Sequence, residues 1–107
     1  MRRVLLGDMI AGARCIAGVA PADQPQLARR LLAEADAAHR YMKRTGRAHP
    51  HWGIGSVESR AGGMVPLGQR MGFDLGDAKI LSALALLAQA LAERRRNLAL
   101  PPCGPIC

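Results

Sequence analysis

The chain has 107 residues, half of them hydrophobic but with a single Trp, Tyr and Phe, and it carries a net charge of +7 with a pI near 10.7. That length gives one small domain with a modest core, and an apolar set of Ala, Leu, Ile and Met suits close-packed helices and excludes a disordered chain. The charge favours an acidic partner, whether nucleic acid, an anionic membrane surface or an acidic protein; no apolar run reaches spanning length, so no integral membrane insertion is expected.

Residues 2–19 read as a first helix, with Leu6, Met9, Ile10, Ala13, Ile16 and Ala17 forming one apolar stripe. Gly7, Gly12 and Gly18 each weaken it by about 1 kcal/mol relative to Ala, a loss that close approach of a neighbouring helix would offset. Arg2 and Arg3 precede an apolar run, and Gly18-Val19-Ala20 has the small residues of a cleavage site. Asp8 and Arg14 interrupt that run, however, so an export signal is not expected.

Pro21 ends this segment, and Asp23 is a candidate N-cap for a second helix over 23–45, with Pro25 in its first turn and Gly46 as its stop. Leu27, Leu31, Ala35, Ala38 and Met42 make its buried stripe, flanked by Leu32 and His39. At 100° per residue Arg29, Arg40, Lys43, Arg44 and Arg47 gather on the opposite side, with Asp36 interrupting them. Cations at a helix end are also favoured by the helix dipole, which gives them a purely structural reading.

Residues 46–76 show glycine at 46, 53, 55, 62, 63, 68, 72 and 76 and no helical period, which predicts a long Gly-rich loop. Val65-Pro66-Leu67 and Met71-Gly72-Phe73 are the segments expected to pin it. Asp77 caps a third helix over 77–98, whose Ile80, Leu84, Leu87 and Leu91, with Leu81 and Ala88 alongside, give the strongest amphipathic signal and offer a seam for a homo-oligomer. Pro101 and Pro102 stop it, and residues 101–107 form a flexible tail. The expected architecture is therefore all-α: a three-helix bundle over residues 1–100 with the loop between its second and third helices.

The cysteines, Cys15, Cys103 and Cys107, are odd in number and do not make a secreted disulfide framework, so thiols in a reducing cytoplasm are expected. His39, His49 and His51, with the two tail cysteines, match none of the usual zinc spacings, so no metal is expected. The serines, Ser56, Ser59 and Ser82, lie in no nucleophile-elbow pattern. Trp52-Gly53-Ile54-Gly55-Ser56 lacks the Gly-Lys-Ser/Thr ending of a phosphate loop, so no nucleotide cofactor is expected. Its backbone N–H groups beside Arg44 and Arg47 could still hold an anion. No complete catalytic constellation is present, which leans the reading away from an enzyme.

The stretch LLAEADAAHRYMKRTGRAHPHWGIGS resembles a group of short alphaproteobacterial, Rhodobacterales-like proteins of unknown function that share the pattern T-G-R-x-H-P-x-W-G-x-G-S. Thr45-Gly46-Arg47, His49-Pro50, Trp52-Gly53 and Gly55-Ser56 carry the likeness, and MRRVLLGDMIAGAR and ILSALALLAQAL extend it over most of the chain. In those relatives the motif runs into an apolar helical turn, where this chain has Val57-Glu58-Ser59-Arg60-Ala61-Gly62-Gly63. The resemblance implies a cytoplasmic bacterial protein with no assigned activity.

The reading that follows is a small, basic, non-enzymatic binding or adaptor protein. Arg40, Lys43, Arg44, Arg47, His49, His51 and Trp52 would engage an acidic protein or nucleic acid. Two alternatives stand beside it: a small ligand-binding or enzymatic domain with an anion pocket at the same loop, and a phage-derived DNA-packaging accessory protein.

Overall fold

A computed structural model describes residues 3–64 and 74–99. Helix α1 spans Leu6–Ala17, a single 3-10 turn covers Pro21–Asp23, and α2 spans Gln24–Thr45. Helix α3 spans Val57–Met64 and α4 spans Ala78–Ala99. Among the described residues the fold is helical without strands, and it has four helices where three were expected. Expectations about residues 65–73 and about Cys103, Cys107 and the 101–107 tail lie outside the described residues.

The fourth helix is α3, inside the stretch read as loop. Its eight residues, VESRAGGM, have no apolar period long enough to register, and two are glycines. Capping supplies what the pattern lacks. Ser56 Oγ accepts the Ser59 N–H at 3.1 Å, and Asp8 Oδ1 accepts the Glu58 N–H at 3.0 Å from across the fold. Two of the N–H groups that every helix start leaves without an intrahelical partner are thereby satisfied. The other oxygen of Asp8 accepts the Leu5 N–H at 2.8 Å, so one buried carboxylate caps both α1 and α3.

Helix α1 begins at Leu6 rather than residue 2, and Leu6 is 74% exposed despite its place in the expected stripe. The first turn is spent on the Asp8 caps, and the core starts one turn later at Gly12, Ala13, Cys15 and Ile16. Gly12 is a point of close helix approach. A Cβ there would lie 2.5 Å from Leu87 Cδ2, 3.3 Å from Leu31 Cδ2 and 3.4 Å from Val57 Cγ1, so α4, α2 and α3 all meet α1 at this position. The glycine that weakens α1 locally thus lets the bundle close.

Helix α2 buries Ala28, Leu31, Leu32, Ala35, Asp36 and Ala38, while Leu27 and Met42 lie at the edge. It ends at Gly46, whose φ of 73° is left-handed and whose N–H donates to the Met42 carbonyl at 2.8 Å. At its start Asp23 makes no side-chain cap, because the preceding 3-10 turn already gives it helical dihedrals.

Helix α4 is capped as expected: Asp77 Oδ1 accepts the Lys79 N–H at 2.9 Å. Its buried line is Ile80, Ala83, Leu87 and Ala90. Leu84 and Leu91 pack only partly against the core, and Leu81 is 46% exposed. The seam is rotated from the leucine line toward the alanines because small residues let α4 come close to α1 and α2. Ile10, part of the expected α1 stripe, is only partly buried, and Gly12 meets Leu87 instead.

A candidate anion-binding surface at the end of α2

The last turns of α2 carry Arg40, Lys43 and Arg44, and Arg47 follows one residue beyond the glycine stop. Lys43, Arg44 and Arg47 are exposed and have no ion-pair partner among the described residues. The Arg44 guanidinium lies 5.9 Å from the centre of the Tyr41 ring, within cation–π range. Thr45 Oγ accepts the Arg47 N–H at 3.2 Å and donates to the Tyr41 carbonyl at 2.8 Å, which fixes the backbone that presents Arg47. Arg40 differs from its neighbours in leaning back to 3.9 Å from Asp36, although its side chain stays 68% exposed.

Asp36 does not interrupt the basic face as an exposed charge. It is 5% exposed, and its Oδ2 accepts a 2.6 Å hydrogen bond from Arg94 of α4. Burial pushes its carboxyl up, but hydrogen bonds and positive charge, those of Arg94 among them, more than offset this and hold it below the usual range. Glu34 is treated in the same way: Arg60 donates to it at 2.7 Å and Arg30 at 2.9 Å, and the pair outweighs desolvation. The acidic residues of α2 are thus consumed inside the fold, and the cations at its end are left over.

Residues 49–53 close a tight turn. The His49 N–H donates to the Gly53 carbonyl at 2.8 Å, and the Gly53 N–H donates back at 3.2 Å. His49 Nδ1 accepts the N–H groups of both His51 and Trp52, each at 3.1 Å. In this geometry a neutral His49 ring carries its proton on Nε2. The same ring stacks on Trp52 with centroids 4.6 Å apart and planes at 10°, and meets Tyr41 edge-on at 5.0 Å. His49 is therefore the half-buried pivot that holds Trp52 and Tyr41 together, while His51 stands exposed beside it. Gly55, at φ 98°, passes directly over α2: a Cβ there would lie 2.5 Å from His39 Cα. This crossing brings the turn back to the helix end, so the structure does assemble Tyr41, Arg44, His49 and Trp52 into one cluster.

Three residues that sequence reasoning did not single out hold this arrangement. Asp8, Glu34 and Arg60 are tied across 50 and 26 positions, which no local pattern reveals. Ser56 was the one available signal, as a serine placed three residues before another polar side chain at a helix start.

Cys15 is buried, and desolvation pushes its thiol up while the Arg60 charge only partly counters it. It is therefore held as the inert thiol rather than the nucleophilic thiolate. Among the described residues no three His, Cys, Asp or Glu side chains come together as a metal group, and no helix is long and apolar enough to cross a membrane.

A family model described as a domain of unknown function (DUF7742) matches residues 2–91. No curated protein and no solved structure matches the chain.

Proposed function

The chain belongs to the DUF7742 family, and from that premise we propose that it is a small, basic, non-enzymatic binding protein whose α2 end and His-Pro-His-Trp turn engage a polyanion. One observation carries the reading. Every acidic side chain buried along α2 is matched by an arginine from within the fold, whereas Lys43, Arg44 and Arg47 are exposed and unmatched among the described residues. Unmatched cations beside a fixed aromatic stack form a surface that attracts phosphates or carboxylates and adds a flat apolar contact. The bacterial cytoplasm is the setting this reading takes, with the alphaproteobacterial likeness of the Thr45–Ser56 motif as its support and residues 1–100 acting as one domain.

The alternative of a ligand-binding or enzymatic pocket at the same turn draws on His51 and the free Nε2 edge of His49, but it must leave Nδ1 of His49 out of the chemistry. Fluorescence anisotropy with a labelled oligonucleotide and, separately, a labelled poly-glutamate peptide tests the proposal. Binding should weaken steeply with salt, and the combined variant Lys43→Ala, Arg44→Ala, Arg47→Ala should lose both affinity and most of the salt slope. Equal affinity of wild type and variant for every polyanion tried would reject it.

A further inference from the structure

Arg94 does more than neutralise Asp36. By reaching from α4 to α2 it walls one side of a groove of about 300 Å³ between the two helices, lined by Arg29, Leu32, Ala33, Ala90, Glu93 and Asn97 together with Arg94 itself. The floor is apolar. The rim holds a guanidinium, a carboxylate and a carboxamide. With Arg94 spent on Asp36, and with Arg29 and Glu93 both in the lining, the groove has no surplus of positive charge. It is therefore a poor phosphate site and a suitable one for a flat, neutral, hydrogen-bonding ring. Its volume is at the small end for ligand sites, near that of a single nucleotide unit.

The groove is in line with Arg44, one of the unmatched cations. Ala33 and Arg44 fall about 20° apart around α2, with Lys43 about 80° to one side, and the Arg94–Asp36–Arg40 bridge lies between the groove and the helix end. From Ala33 to Lys43 is about 15 Å along the helix axis, a span of a few nucleotides.

We infer that the polyanion is a single-stranded nucleic acid, with its phosphates on Lys43, Arg44 and Arg47 and one unpaired base seated in the α2–α4 groove. This rests on the polyanion reading above and deepens it. A base locked in a duplex cannot enter such a groove, whereas unstacked bases of a single strand are offered with both edge and face. A carboxylate-rich protein segment would find the cations but nothing for its side chains in a neutral, apolar-floored slot.

The groove and the cations make separable predictions. Ala33 is exposed, so Ala33→Phe fills the groove without disturbing the core. It should weaken binding of a labelled oligo-dT or oligo-U several-fold while leaving the salt slope unchanged, because no phosphate contact is lost. The Lys43→Ala, Arg44→Ala, Arg47→Ala variant should instead flatten the slope by about 0.7 per lost contact. A duplex of equal length should bind more weakly than the single strand and be indifferent to Ala33→Phe. If Ala33→Phe binds the single strand like wild type while the triple variant does not, the groove inference is overturned and the polyanion reading stands. Tighter binding of the duplex, or binding of poly-glutamate alone, likewise overturns the single-strand assignment. If the triple variant binds every probe like wild type, the polyanion reading itself fails.

Discussion

The two halves of α2 treat charge in opposite ways. In its middle, Glu34 and Asp36 are sequestered with Arg60 and Arg94 from two other helices, and these pairs help fix how α3 and α4 sit on α2. At its end, Lys43, Arg44 and Arg47 face solvent with no carboxylate partner among the described residues. The same residue types thus serve assembly in one half and, in our reading, recruitment in the other. A net charge of +7 does not distinguish those roles; only the pairing does.

The buried half of α2 rests on the core beneath it. Leu87 is fully buried against Gly12 and Leu31, and Leu87→Ala should cost about 2–5 kcal/mol. Denaturant unfolding reads this directly, and an unchanged midpoint would contradict the packing described here.

The ion pairs come next. Arg60→Met removes the buried partner of Glu34, leaving only exposed Arg30 to hold it, and should cost about 1–3 kcal/mol. The acid limb should change with it. Glu34 and Asp36 are held below their ordinary values of 4.5 and 3.8, so the folded chain binds fewer protons there than the unfolded chain. The stability they contribute is therefore present above those values and lost as pH falls through the lower folded ones. Wild type should lose stability steeply below about pH 4, and Arg60→Met should show a shallower loss. Parallel acid curves for the two proteins would show that the Glu34 pair does not carry that dependence.

A smaller effect is expected at the turn. His49→Ala removes the acceptor of two backbone N–H groups and the face on which Trp52 stacks, and should cost about 1 kcal/mol. Trp52 is the sole tryptophan, so its emission should move toward that of a solvent-exposed indole. His49→Phe keeps the stack but not the acceptor and should fall between the two. An unchanged spectrum in His49→Ala would mean that the ring does not position Trp52.

The fold was legible where it depends on local period and termini. The Ile80–Leu91 repeat marks the body of α4, and the Asp77 cap and the Gly46 stop each mark a helix end within one or two residues. Helix α3 was hidden because its start is capped by Asp8, 50 residues away, and its body lacks an apolar stripe. The rotation of α4 was hidden because leucine outweighs alanine in any periodicity, whereas Ala83 and Ala90 share the buried line with Ile80 and Leu87. At the candidate site the place of Arg40, Lys43 and Arg44 in the last turns of α2 could be read from helical spacing, whereas Arg47 lies beyond the Gly46 stop. The role of His49 as a pivot, and the burial of Asp36 beneath Arg94, could not, since both are set by contacts between separate segments.

The smallest expected effect on stability belongs to the exposed half, where binding and folding separate. The combined Lys43→Ala, Arg44→Ala, Arg47→Ala variant removes three exposed cations that hold no partner within the described fold, so its stability should stay within about 0.5 kcal/mol per substitution of wild type. Thermal unfolding and salt-dependent anisotropy should be measured on the same preparations. A nearly unchanged Tm together with loss of polyanion binding is expected. A collapsed Tm with no change in binding per folded molecule would make these residues structural helix-end cations and contradict the polyanion reading.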